Sequence, residues 1–255
     1  MTTDSATSRH TLEAKYRRSR ILNGVLAAVV AFLAIVVAAQ MLPGQSPTSA
    51  SPAAAEATGS TGSAADGRSG KDMEFVRRDA GDPRALGDVD APVVLTEWID
   101  LRCPFCATFS RDTLPALIEE YVDTGKVRIE FTDVAYFGEQ SEDASVAAQA
   151  AANQDKYLDF VTAVFDEAPE SGHAELTRDV LIRFAEKVDV PDLDAFRADL
   201  DDPDVRARAT AETRAAQGLG VSAVPFFVAG ETAMSGAQPL QSFRDYLDDA
   251  LAAVE

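Results

Sequence analysis

Three patterns of hydrophobic and polar positions follow one another along the chain. Ile21 to Leu42 runs for 22 residues without a charge, broken in polarity only by Asn23 and Gln40. At about 1.5 Å per residue this predicts a helix of roughly 30 Å, the thickness of a bilayer's hydrocarbon core. Pro43 to about Gly70 is Pro, Gly, Ser, Thr and Ala with almost no large apolar residue. Such a composition buries too little surface to offset backbone entropy and predicts a flexible tether. Beyond it, over 71–255, strand-like and helix-like patterns alternate.

Val93 to Asp100, after Pro92, is β-branched and apolar as in a central strand. Leu101-Arg102 leads into Cys103-Pro104-Phe105-Cys106. From there Cys106, Phe109, Thr113, Leu114, Leu117, Ile118 and Tyr121 recur at three- and four-residue steps, one apolar helix face. Pro115 falls inside that stripe and predicts a kink or a split, and Gly125 closes it. Lys126 to Phe131 alternates as a second strand. Strand, helix, strand is a βαβ unit, with a right-handed crossover in a partly parallel sheet. A helical stretch follows over roughly 141–218. It is Ala-rich and periodic from Ser141 to Phe165, with later helices opening near Thr177, at Asp192 and at Pro203, and a stop at Gly218 and Gly220. Pro225 to Ala229, Gly230 and Thr232 to Met234 predict a hairpin. A last helix, from about Leu240 to Val254, places Leu240, Phe243, Tyr246, Leu247, Ala250 and Leu251 on one face. No internal repeat is present, and the fold class is α/β.

Charge adds orientation to this picture. The chain carries 23 Lys and Arg against 42 Asp and Glu, a formal −19, which argues against a nucleic-acid binder. Residues 1–20 nevertheless hold Arg9, Lys15, Arg17, Arg18 and Arg20 against Asp4 and Glu13. The positive-inside rule keeps that tail in the cytoplasm and puts everything after Leu42 outside, giving a single-pass cell-membrane protein. A cleaved signal peptide is the alternative, with Val37-Ala38-Ala39 as its small residues. Its apolar region of about 7–15 residues is shorter than this run, which favours an uncleaved anchor. No cysteine follows the run closely, excluding a lipidated-cysteine anchor. Beyond residue 70 the balance is 17 basic to 38 acidic side chains, a well-solvated, self-repelling surface.

Candidate chemistry concentrates at one place. Cys103 and Cys106 are the only cysteines, and His10 and His173 the only histidines. A zinc site would need two more ligands than this pair supplies, while a small structural disulfide remains open. The position of the pair favours redox work. Cys103 lies where strand becomes helix and Pro104 suits the first helical position, so unpaired N–H groups and the helix dipole favour a Cys103 thiolate. Arg102 adds a neighbouring charge. Cys106 belongs to the apolar stripe and is expected to be buried. An exposed thiol of low pKa with a sheltered partner is what thiol–disulfide exchange requires. On the preceding strand Val93, Leu95, Glu97 and Ile99 share a face, so one carboxyl interrupts an apolar surface. Desolvation raises its pKa, and it is placed to exchange a proton with Cys106. The alternative is a carboxylate paired with an arginine or facing a water pocket. His173 reads as an exposed loop residue without a role.

Glu97, the Cys-Pro-Phe-Cys motif, the long helical insertion and Val224-Pro225 before Phe-Phe-Val together resemble a DsbA-like thiol:disulfide oxidoreductase of the thioredoxin superfamily. The resemblance extends over about 73–255, and Ser235 to Pro239 is similar to membrane-anchored actinobacterial members. It implies a thioredoxin-like core with an α-helical domain inserted at about 138–200. It also implies a cis Pro225 beside the active disulfide, and Val224 pairing through its backbone with substrate, next to Pro104 and Phe105. Without the resemblance, Pro225 reads equally as an ordinary strand-opening proline. Implied too are a redox-active Cys103–Cys106 disulfide as the sole cofactor, reduced exported proteins as substrates, and a quinone-linked membrane oxidase that reoxidises the dithiol. The sequence offers no evident dimerisation module, so a monomer is expected and an isomerase disfavoured. Phe105 departs from the pattern, since the strongly oxidising members carry His there. The residues between the cysteines tune a potential that spans about −270 to −120 mV in related folds. The expected activity is disulfide introduction into exported proteins. An extracytoplasmic reductase, or a non-catalytic tethered chaperone or adaptor with a structural disulfide, are the alternatives.

Overall fold

The structure, a computed structural model, describes residues 73–254. The basic tail, the anchor expected at 21–42 and the tether at 43–70 lie outside the described residues. Among those described, no helix is long and apolar enough to cross a membrane.

Five strands form one sheet in the order β1-β3-β2-β4-β5: β1 Ala85–Leu86, β2 Val93–Ile99, β3 Val127–Asp133, β4 Phe226–Ala229 and β5 Thr232–Ser235. β2 and β3 run parallel, from Val93 opposite Val127 to Ile99 opposite Asp133, and the other neighbours pair antiparallel. The connection between β2 and β3 is α1 (Pro104–Asp112), α2 (Leu114–Leu117) and a π-helical turn over Ile118–Val122. Pro115 splits the helix rather than kinking it. It falls in the first turn of α2, where a missing N–H breaks no helical hydrogen bond.

All seven residues of β2 are buried. On the face carrying Leu95 and Glu97, Phe109 of α1, Phe227 of β4 and Phe243 of α8 (Leu240–Ala252) pack with ring centroids 4.7–4.9 Å apart. On the other face Trp98 packs edge-on against Phe75 and Phe226.

β3 departs from the expected alternation over 126–131. It runs to Asp133, and only Thr132 is not fully buried. The polar positions are covered because Arg128 and Glu130 pair with each other at 2.8 Å, while Glu130 also accepts the N–H groups of Arg77 and Arg78. The segment before β1 therefore closes a face that alternation alone would leave to water. At Gly87 (φ +94°) a Cβ would lie 2.9 Å from Val122 Cγ1 and from the Val127 carbonyl, so the turn after β1 needs glycine.

Between β3 and β4 come α3 (Glu139–Ala152), α4 (Tyr157–Asp166), α5 (Arg178–Lys187), α6 (Leu193–Asp201) and α7 (Pro203–Gly218). α3 to α6 are the predicted helical insertion of about 138–200. The Ala-rich stretch from Ser141 to Phe165 is two helices, not one. Asn153 to Lys156 breaks it, with Asp155 in the left-handed region at φ +57°. Asp192 and Asp202 cap α6 and α7 through their side chains, and Pro203 opens α7. Each such cap contributes about 1 kcal/mol.

Candidate active site

The chain leaves β2 through a tight turn. Cys103 donates its N–H to the Asp100 carbonyl at 2.9 Å and takes the N-cap position of α1 (φ −76°, ψ 118°), with Pro104 first in the helix. Proline there lacks only an N–H that would find no helical partner, and its fixed φ starts the helix. The free N–H groups of the first turn are thereby aimed at the Cys103 sulfur. The Cys103 thiol is held below its ordinary value chiefly by a hydrogen bond from the Cys106 thiol. Burial opposes this, and the Cys106 and Phe105 N–H groups reinforce it. The Cys106 thiol moves the other way. Burial pushes it well above the ordinary range, and its bond to Cys103 and the negative charges of Cys103 and Glu97 add to this. Both cysteines are free thiols.

Contrary to the exposed nucleophile expected from the pattern, Cys103 is buried, with 2% of its surface accessible, and Cys106 is fully buried. The cover is Val224, whose carbonyl lies 3.5 Å from Cys103 Sγ. The Val224–Pro225 peptide is cis and both residues are buried. Pro104 is half-buried, and Phe105 is 64% exposed, the outward-facing side chain between two hidden sulfurs.

Arg102 is placed differently from the expectation that it stabilises the thiolate. Its guanidinium donates to the carbonyls of Phe137 (2.5 Å) and Ala174 (2.8 Å), so its fork is spent on the insertion. His173 is exposed but not isolated. Its Nδ1 lies 3.1 Å from the Arg102 carbonyl and its ring stacks on Phe137 at 4.2 Å.

Glu97 sits in the middle of the sheet, opposite Phe131 on one side and Phe227 on the other. It is 2% exposed and its Oε2 has no hydrogen-bond partner. Burial holds its carboxyl well above the usual range, and its charge is felt at Cys106. No arginine or lysine pairs with it among the described residues.

Asp100 is the residue the sequence reading missed. It is fully buried and accepts from Arg102 N–H and Ser141 Oγ at 2.9 Å each through Oδ1, and from Tyr136 N–H at 2.7 Å through Oδ2. Burial raises its pKa while these bonds oppose the rise, and its charge works against the Cys103 thiolate. The available signal was an aspartate two residues before an N–H it accepts, the pattern of an Asx-turn. Among the described residues no three His, Cys, Asp or Glu side chains converge to hold a metal.

Two thiols three residues apart, one with lowered and one with raised pKa, form the arrangement that thiol–disulfide exchange requires. On this α/β scaffold they define a protein disulfide oxidoreductase of DsbA-like type. A sequence-family model described as Thioredoxin matches residues 79–249, and the chain belongs to that family. Probable disulfide bond formation protein D of Bacillus cereus is 32% identical over 145 residues, spanning 56% of this chain and 67% of that protein. Oxidised BdbD from Bacillus subtilis superposes with a TM-score of 0.62 at 22% identity, over 68% of this chain and 94% of that one. A variant of Wolbachia pipientis alpha-DsbA1 gives 0.59 at 25% identity, over 67% and 92%.

Proposed function

We propose that this oxidoreductase works as an oxidase of exported proteins, tethered to the outer side of the cell membrane. A substrate thiolate attacks Cys103 Sγ, the bond to Cys106 breaks, and a second substrate thiol displaces Cys103. The substrate dithiol leaves as a disulfide and the enzyme keeps two electrons as its own dithiol. Glu97 is the group placed to deliver and remove the Cys106 proton. Val224 offers its backbone to the incoming strand, with Pro104 and Phe105 beside it. A quinone-linked membrane oxidase restores the Cys103–Cys106 disulfide, which is the only redox cofactor required, and the chain acts as a monomer. The basic tail before Ile21 supports the orientation.

One observation carries the direction of transfer: the helix terminus and Cys106 stabilise the Cys103 thiolate. A stabilised reduced form makes the disulfide a stronger oxidant, and this holds without a histidine between the cysteines. The test is the redox equilibrium of the full chain with glutathione, together with refolding of a reduced, disulfide-dependent substrate. The expected result is a potential well above that of structural disulfides, which lie below about −300 mV, and recovery of substrate activity. A potential near or below the reducing end of the range, about −270 mV, or no recovery of substrate activity, sinks the oxidase reading.

A further inference from the structure

The loop between β3 and α3 reaches both walls of the site. Tyr136 donates its N–H to Asp100 Oδ2 at 2.7 Å. The other oxygen of that carboxyl takes the Arg102 N–H, and the Asp100 carbonyl takes the N–H of Cys103. At its other end Tyr136 donates its hydroxyl to the Val221 carbonyl, three residues before Val224. Val224 closes the circuit, with its carbonyl 3.5 Å from Cys103 Sγ. Ala135, just before, fixes the loop by donating to Thr213 Oγ1 of α7 at 3.0 Å. One residue thus spans, through its backbone N–H and its hydroxyl, from the turn that holds the sulfur to the loop that covers it.

We propose that Tyr136 is a positioning residue. It sets the Val224–Pro225 loop against Cys103, with Asp100 as the common anchor, so that substrate backbone and sulfur meet in one register. The inference rests on reading Val224 as the strand that pairs with substrate. Its two ends are chemically separable. Tyr136 holds Asp100 through the backbone and Val221 through the hydroxyl, so Tyr136→Phe cuts the loop free and leaves the thiol turn intact. The ring is half-buried and lines an open cleft of about 510 Å³ with Gln217, Gly220, Val221 and Ser222. Loss of the hydroxyl therefore leaves no sealed cavity and no apolar void.

The experiment compares full-length wild type and Tyr136→Phe, in detergent, on a dithiol peptide and on dithiothreitol, which has no backbone to pair. A lost neutral hydrogen bond predicts that the ratio of peptide to dithiothreitol kcat/KM falls about five- to tenfold, mainly through KM. The glutathione equilibrium stays unchanged. A peptide N-methylated at the amides flanking its reactive cysteine separates the two layers of the argument. If N-methylation lowers kcat/KM and Tyr136→Phe does not, the positioning role is overturned and strand pairing stands. If N-methylation has no effect, strand pairing is overturned and the positioning role with it. Equal losses on peptide and dithiothreitol, or a shifted glutathione equilibrium, assign Tyr136 to the thiol turn and also overturn the proposal.

Discussion

At the scale of single residues, the site is governed by where charge is tolerated. Glu97 faces two aromatic neighbours and has an oxygen without a partner, so its proton is held tightly. Its ionised form raises the Cys106 pKa, which couples the two groups. Glu97→Ala is expected to move the pH profile of Cys106 alkylation, measured in a Cys103→Ser background, toward lower pH. Identical profiles would remove Glu97 from proton exchange. Glu97 and the two cysteines were legible in the sequence because each breaks or belongs to a pattern: a carboxyl on an apolar strand face, a thiol before Pro104, a thiol on a helix stripe. Asp100 was not. As the residue after an apolar strand it looks like an ordinary turn aspartate, and its burial is completed by Tyr136 and Ser141, distant in sequence. The burial of Cys103 was likewise hidden, because Val224 arrives from more than a hundred residues away.

Between elements, Arg102 is the link that matters most. Its two bonds to the Phe137 and Ala174 carbonyls tie the start and the middle of the insertion to the turn that carries Cys103. Arg102→Ala is expected to lower stability by about 2–4 kcal/mol, since each bond from a charged donor contributes about 1.5–3 kcal/mol less the gain in freedom. Hydrogen exchange should show protection lost first around residues 137–140 and 172–176. A loss spread evenly over the sheet would count against this local role. Local chemistry made most element boundaries readable: Pro104 and Pro203 at helix starts, Asp192 at the start of α6, Gly230 in the hairpin. The failures were non-local. β1 has two residues, too few for a periodic signal, and β3 hides its charges because Arg77 and Arg78 reach it from outside the strand. The break at Asp155 was masked by the alanines around it.

For the molecule as a whole, acidity and burial act in the same direction. Asp133 is fully buried against the Tyr157 hydroxyl at 2.9 Å, and burial lifts its pKa from 3.8 to about 7. A folded value above the unfolded one means the native state holds this proton more tightly. The stability that Asp133 contributes is therefore greatest below about pH 4 and falls as pH rises toward 7. Between pH 5 and 8 this single group accounts for about 2–3 kcal/mol. Self-repulsion of the acidic surface weakens in the same sense on acidification, so wild type alone cannot separate the two. Asp133→Asn can: denaturation at both pH values should show that part of the loss gone, and an unchanged difference would assign the effect to surface charge and to the other buried carboxyls, Glu97 and Asp100. The outward face of Phe105 carries one more consequence. A thiolate open to water is the first target of peroxide, which drives it through sulfenic to irreversible sulfinic and sulfonic acids. Here an aromatic ring meets the solvent while Cys103 keeps 2% of its surface accessible. Beneath the Val224 carbonyl, the sulfur most prepared to react is expected to resist over-oxidation by peroxide.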